Sequence, residues 1–172
     1  MSSSVRVLVR GSLSIDEFFT VADIVRPGQT IASHAHARRP GGKGANQAAA
    51  AAKAGARTAL AGAVGPDGAW MLPVLQDAGV DTTGVREIPD VCARSAPHTV
   101  RADDAQGQTG RALIQLSAHG ENAIVLFAGT NFALRDPPTP SLFVGPDAPT
   151  HLVLQNEIPL PDTLAHLALA HA

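Results

Sequence analysis

Residues 39–56 read RPGGKGANQAAAAAKAGA, so three glycines and a lysine open onto the strongest helix-forming run in the chain. Alanine loses no rotamer freedom on becoming helical, which predicts a helix over residues 45–54, about 15 Å long and stopped by Gly55. Gly41, Gly42 and Gly44 let the backbone approach a ligand closely, and the free N–H groups of a helix start are expected to point outward toward oxygen atoms. Lys43 and Asn46 add side-chain donors at the same mouth. A glycine turn that merely starts a helix is the plainer reading of the same residues. Two nucleotide motifs do not fit. A Walker loop needs Ser or Thr where Gly44 stands and an earlier glycine that residues 34–40 lack, and a dinucleotide fingerprint needs glycine at Gln47.

Around this helix the apolar pattern alternates between periods of two and of 3.6. Strands are expected at residues 5–10, 58–64, 111–117, 123–128 and 151–155, with further extended segments near 13–21 and 29–37 on either side of a Pro27-Gly28 turn. A second helix is expected over residues 67–78, where Pro73 either shortens it to a start at Leu72 or removes a hydrogen bond from its middle. At the end of the chain Asp162 is expected to cap a helix carrying Leu164, Leu167 and Ala168 on one face. A proline-rich connection covers residues 136–149. Strands alternating with helices predict an α/β layer fold with a mainly parallel sheet, in which the strand at 151–155 has no successor to pair with.

The chain has 172 residues and 45% hydrophobic content, enough for one domain with a real core. Its net charge of −2 leaves no basic surface for nucleic acid. The one cysteine, Cys92, excludes an internal disulfide and a multi-cysteine zinc site. Arginines interrupt the short apolar run at the N-terminus, so neither a signal peptide nor a membrane span is expected there, and the protein reads as cytoplasmic. His34 and His36 can face the same way on a strand, but no third metal ligand lies nearby. Ser12 and Ser14 near Asp16 make a hydrolase triad only with a histidine beside them.

The order of short segments resembles the ribokinase group of the PfkB carbohydrate kinases. GGKGANQ at 41–47 is that group's most specific N-terminal signature. GSLSID at 11–16, PGQT at 27–30, AVGPDG at 63–68 before a helix ending in AGVD, QTGRALI at 108–114, GENAIVLFAGTN at 120–131 and LQNEIP at 154–159 follow in the family's order. The resemblance covers nearly the whole chain except residues 86–107, which read as an inserted loop. It implies an incomplete ribokinase-like fold in which segments near 13–37 and 108–128 form a small β lid over the sugar. It also implies a substrate-binding set of Ser14, Asp16, Gly42, Lys43, Asn46 and Glu157: Asp16 and Glu157 would accept bonds from sugar hydroxyls, and the glycine loop would hold the others. An exposed loop acid and an ordinary helix-start acid are the plainer readings of Asp16 and Glu157.

The family activity so implied is phosphorylation of D-ribose to ribose 5-phosphate by ATP, with magnesium and a monovalent cation, and homodimers through the lid strands. Ser14 stands where ribokinases usually carry asparagine, which shortens one sugar contact. GTN at 129–131 replaces the usual GAN, and Gln29 a glutamate. The DTxGAGD motif, which in the family supplies the general base and the anion hole, has no match here. Asp136 and Asp162 lack the glycines that an anion hole needs. No catalytic residue is therefore assigned, the ATP-binding part is expected to be absent, and the chain is expected not to turn over alone. The alternatives are a non-enzymatic sugar-binding or docking module and a non-functional truncated product, whose unpaired edge at 151–155 would invite aggregation.

Overall fold

The computed structural model describes residues 5–89, 107–132 and 140–170. In chain order the strands are β1 (Arg6–Arg10), β2 (Ser14–Val21), β3 (Ala35–Gly41), β4 (Arg57–Val64), β5 (Val80–Glu87), β6 (Gly110–Ser117), β7 (Asn122–Phe127) and β8 (His151–Leu154). The helices are α1 (Lys43–Lys53), α2 (Met71–Asp77) and α3 (Leu160–Ala170).

They form an α/β body with a fully parallel sheet in the order β5-β4-β1-β8, and a second sheet in the order β3-β2-β6-β7. The first sheet is parallel because helices connect its strands and cover it. Val7, Val9, Leu60, Val64 and Val80 of its strands pack with Ala45 and Ala48 of α1 and Met71 and Leu75 of α2. The alanines of α1 put a narrow helix face on the sheet, so the helix backbone lies close to β1. In the second sheet β2 runs parallel to β6 and antiparallel to β3, and β7 closes a hairpin with β6. Pro40 sits in β3, an edge strand, the position in a sheet where proline is tolerated.

Several expectations need correction. The extended segment expected at 29–37 lies later, in β3, because the Arg26–Gln29 turn is followed by irregular backbone and pairing with β2 begins only at Thr20↔Ala35. The single helix expected over 67–78 is a 3-10 turn, Pro66–Gly68, followed by α2. Pro73 falls in the first turn of α2, where a missing N–H is harmless, so the shortened helix is the correct alternative. The strand β5 was not expected, and it carries the start of the segment assigned to an inserted loop: Arg86 and Glu87 pair with Ala63 and Val64. Residues 90–106 of that loop lie outside the described residues, as do 136–139 of the proline-rich connection, which ends in a 3-10 turn at Pro140–Phe143.

The last helix is inverted relative to expectation. α3 begins at Leu160, and Asp162 does not cap it but turns inward to pair with Arg10 of β1 at 3.2 Å. Asp162 and His166 are buried, whereas Leu160, Leu164 and Leu167 are exposed. The surface that β1 offers to this helix contains a buried guanidinium, and leaving that charge unpaired costs more than leaving leucines in water.

Candidate sugar site

The chain builds β4 and β5 on one side of β1 and then returns to place β8 on the other side. The crevice beyond the carboxyl ends of β1 and β8 is thus a topological switch point, the usual place for a ligand in an open parallel sheet. Three segments meet there: Gly11 to Leu13 after β1, Gln155 to Glu157 after β8, and the start of α1.

Glu157 joins them. One carboxylate oxygen pairs with the Lys43 ammonium, and the other accepts the Ser12 hydroxyl at 2.8 Å and the Lys43 N–H at 3.0 Å. The Gly44 N–H donates to Ser12 Oγ at 3.3 Å and the Ala45 N–H to the Ser12 carbonyl at 3.0 Å. The N–H groups of this helix start are therefore not free, contrary to expectation. Two glycines make the arrangement possible. Gly42 has φ of 89°, which L side chains rarely adopt, and a Cβ on Gly44 would stand 2.6 Å from the Gly11 Cα and the Ser12 nitrogen.

Asp16 arrives from the second sheet. On β2 it lies opposite Ala112 of β6, which lies opposite Leu126 of β7, so strand alternation turns these side chains to one face. That face overhangs the start of α1 and encloses a cavity of about 550 Å³. Ser14, Asp16, Gly42, Lys43, Asn46 and Glu157 all line it, and Ile114, Leu126 and Phe132 supply an apolar wall.

The two carboxylates differ in state. Burial would raise the Glu157 pKa, but hydrogen bonds from the Lys43 side chain and backbone and from Ser12 outweigh it and hold the group below its ordinary value. Burial, helped by the nearby Glu157 charge, pushes Asp16 above its ordinary value, and no described residue donates a hydrogen bond to it. Asp16 is thus an acceptor without a donor, facing Lys43 and Asn46 across the cavity.

Residues 5–170 match the family model described as pfkB family carbohydrate kinase. This chain belongs to that family. The ribokinase of Staphylococcus aureus (strain COL) is 30% identical over 174 residues, covering 97% of this chain and 51% of that protein. The ribokinase of Haemophilus influenzae is 34% identical over 130 residues, covering 74% and 37%. Among solved structures, ribokinase from Cryptococcus neoformans var. grubii serotype A in complex with ADP superposes with a TM-score of 0.73 at 46% identity, covering 97% of this chain and 45% of that one. Arabidopsis thaliana ribokinase complexed with ribose and ATP gives 0.76 at 26% identity, covering 96% and 50%. The chain spans about half the length of these two structures and of the Staphylococcus aureus relative.

The glycine loop of this pfkB-family chain does not fit a nucleotide phosphate. Its three leading N–H groups are taken by Ser12 and Glu157, and a carboxylate already stands where an anion would have to sit. No group of three or more His, Cys, Asp and Glu side chains among the described residues is arranged to hold a metal. His36 instead stacks on Phe19 at 4.8 Å, and His34 lies before the strand. No helix among the described residues is long and apolar enough to cross a membrane.

Three parts of the site were not expected. Ser12 ties Glu157 to the helix start. Asn131, in the GTN segment, is buried and clips Leu13 through bonds of 2.9 Å to both its N–H and its carbonyl, and it donates to Ser14 Oγ at 3.3 Å. Arg111 joins Glu17 to Asp67 behind the cavity face. The matched segments contain all three, but nothing in their spacing shows that side chains up to 145 residues apart meet.

Proposed function

We propose that these residues are the sugar-binding half of a ribokinase-type enzyme, which holds a pentose between Asp16 on the second sheet and the Lys43–Glu157 pair on the body. The observation that carries this reading is the unpartnered Asp16 carboxylate, set opposite amide and ammonium donors in a cavity whose helix start excludes a phosphate. A sugar hydroxyl is both donor and acceptor, so it can donate to Asp16 while accepting from Lys43 or Asn46. Ser14 and Gly42 complete the polar floor. The second sheet acts as the lid, built from the strands at 14–21, 35–41, 110–117 and 122–127.

The reaction of the complete enzyme would be transfer of the terminal phosphoryl group of ATP to D-ribose, giving ribose 5-phosphate. The groups that bind ATP and magnesium and remove the hydroxyl proton would come from residues beyond these 172, so this chain alone should give no ribose 5-phosphate from ribose, ATP and magnesium. Val125 and Phe127, on the face of β7 opposite Leu126, fit pairing of two lids, a homodimer within the same reading.

Titration calorimetry with ribose tests the site. Binding by the native chain and its loss in Asp16→Asn are expected, whereas equal affinity in the two would contradict the reading. A second reading, a docking module, is favoured by the exposed leucines of α3 beside β8, an edge strand among the described residues. It predicts a discrete species in light scattering across concentrations, and growth of the scattering mass with concentration would exclude it.

A further inference from the structure

Behind the cavity face lies a charge network that sugar binding itself does not use. Arg111 on β6 places Nη1 2.5 Å from Glu17 Oε1 on β2 and Nη2 2.6 Å from Asp67 Oδ2 in the 3-10 turn of the body. The other Asp67 oxygen accepts the N–H and the hydroxyl of buried Thr109 at 2.9 and 2.7 Å, and the Thr109 hydroxyl accepts the Gly65 N–H at 2.8 Å. From β3, Arg38 approaches Glu17 at 3.8 Å and lies 5.5 Å over the Trp70 ring, while His36 lies 3.8 Å from Glu17. The second sheet is thus fastened to residues 65–70 of the body through the face of β2 and β6 opposite Asp16 and Ala112. Arg111 borders the cavity, but its guanidinium is engaged on both sides.

Asp16 and Glu17 are successive residues on opposite faces of β2, and Arg111 and Ala112 stand in the same relation on β6. A shift of Glu17 relative to Asp67 therefore carries Asp16 with it relative to the start of α1. We propose that Arg111 is a positioning residue for the sugar site, its fork between Glu17 and Asp67 setting the distance from Asp16 to Lys43 and Asn46. The inference rests on the sugar-binding reading above. Arginine suits the task because its planar fork serves two carboxylates at once, which a lysine ammonium does with poorer geometry. The bridge is partly buried, so it is screened less than an exposed ion pair. Hydrogen bonds from Thr109 and Arg111 hold Asp67 below its ordinary pKa despite the opposing effect of burial, in keeping with a bridge that is closed at neutral pH.

The test is ribose calorimetry on the purified chain, at a temperature where circular dichroism shows each variant folded. Arg111→Met and Asp67→Asn should each weaken ribose binding about tenfold through misplacement of a contact. The double variant should bind no worse than either single one, since both remove the same bridge, and Arg111→Lys should fall between. Loss of stability alone would not move a further readout, the pH below which ribose binding fails. Asp16 faces Glu157 and Lys43 across the cavity and Arg39 across the strand pair. Releasing the sheet from the body should expose Asp16 and separate it from Glu157, shifting that pH downward. Unchanged affinity and an unchanged pH profile in folded Arg111→Met, or in Asp67→Asn should the first variant not fold, would overturn the inference and leave the sugar reading intact. Native-like ribose binding by Asp16→Asn would overturn the reading and the inference together.

Discussion

At the scale of single residues, two features of the site make direct predictions. Gly44 packs its backbone against Gly11 and Ser12, so Gly44→Ala forces the helix start away from β1 at a cost of about 1–3 kcal/mol, the usual penalty for overpacking. Urea unfolding should show this as a lower midpoint with an unchanged slope. Asp16 and Glu157 have opposite shifts, so their protonation separates with pH. The raised pKa of Asp16 means that the carboxylate proposed to accept sugar hydroxyls is lost first on acidification. Ribose affinity should therefore fall as pH drops through the raised Asp16 value, while Glu157 is still ionised. For folding the signs differ. Asp16 favours the folded state below its unfolded value and loses that contribution as pH rises. Glu157 and Asp67 contribute above theirs and lose it as pH falls through their lowered values.

At the scale of elements, α3 shows most clearly what a sequence pattern can and cannot say. Its leucine spacing correctly marks a helix, but a periodic apolar stripe does not reveal which way the helix turns when the sheet beneath it contains Arg10. The buried Arg10–Asp162 pair, 152 residues apart in the chain, decides the orientation. Arg10→Met should cost about 3–5 kcal/mol by leaving Asp162 buried without its partner, and Arg10→Met with Asp162→Leu should recover most of that loss. Denaturant melts of the single and double variants measure both. The parallel body was legible because β1, β4 and β8 are short branched or apolar runs bounded by turns, and α1 because alanine runs have one strong preference. β5 was missed since its polar positions Asp81, Thr82 and Thr83 mask the period, although Val80 and Thr82 turn inward. The six residues expected to bind sugar line one cavity, because short segments at a sheet's carboxyl edge can be placed by motif. Ser12, Asn131 and Arg111 act through contacts across the fold, and a linear pattern does not display these.

At the scale of the molecule, the fold places a cavity between two sheets, with the Lys43 and Asn46 side chains at the helix start on one side, an unpartnered acid on the other and an apolar wall between them. Such a division favours a ligand with many hydroxyls that can bridge both sides and thereby draw the second sheet onto the body. On the proposed reading the glycine loop orients a sugar, and phosphoryl transfer needs an anion hole and a base that the described residues around the cavity do not form. The chain should thus bind without turning over. A thermal melt of the purified chain with and without millimolar ribose, with arabinose and glucose alongside, tests this central claim most directly. Binding to the folded state at a hundredfold excess over the dissociation constant adds about 2.7 kcal/mol, so a clear upward shift selective for ribose is predicted. A cooperative melt that none of the three sugars moves would contradict the account.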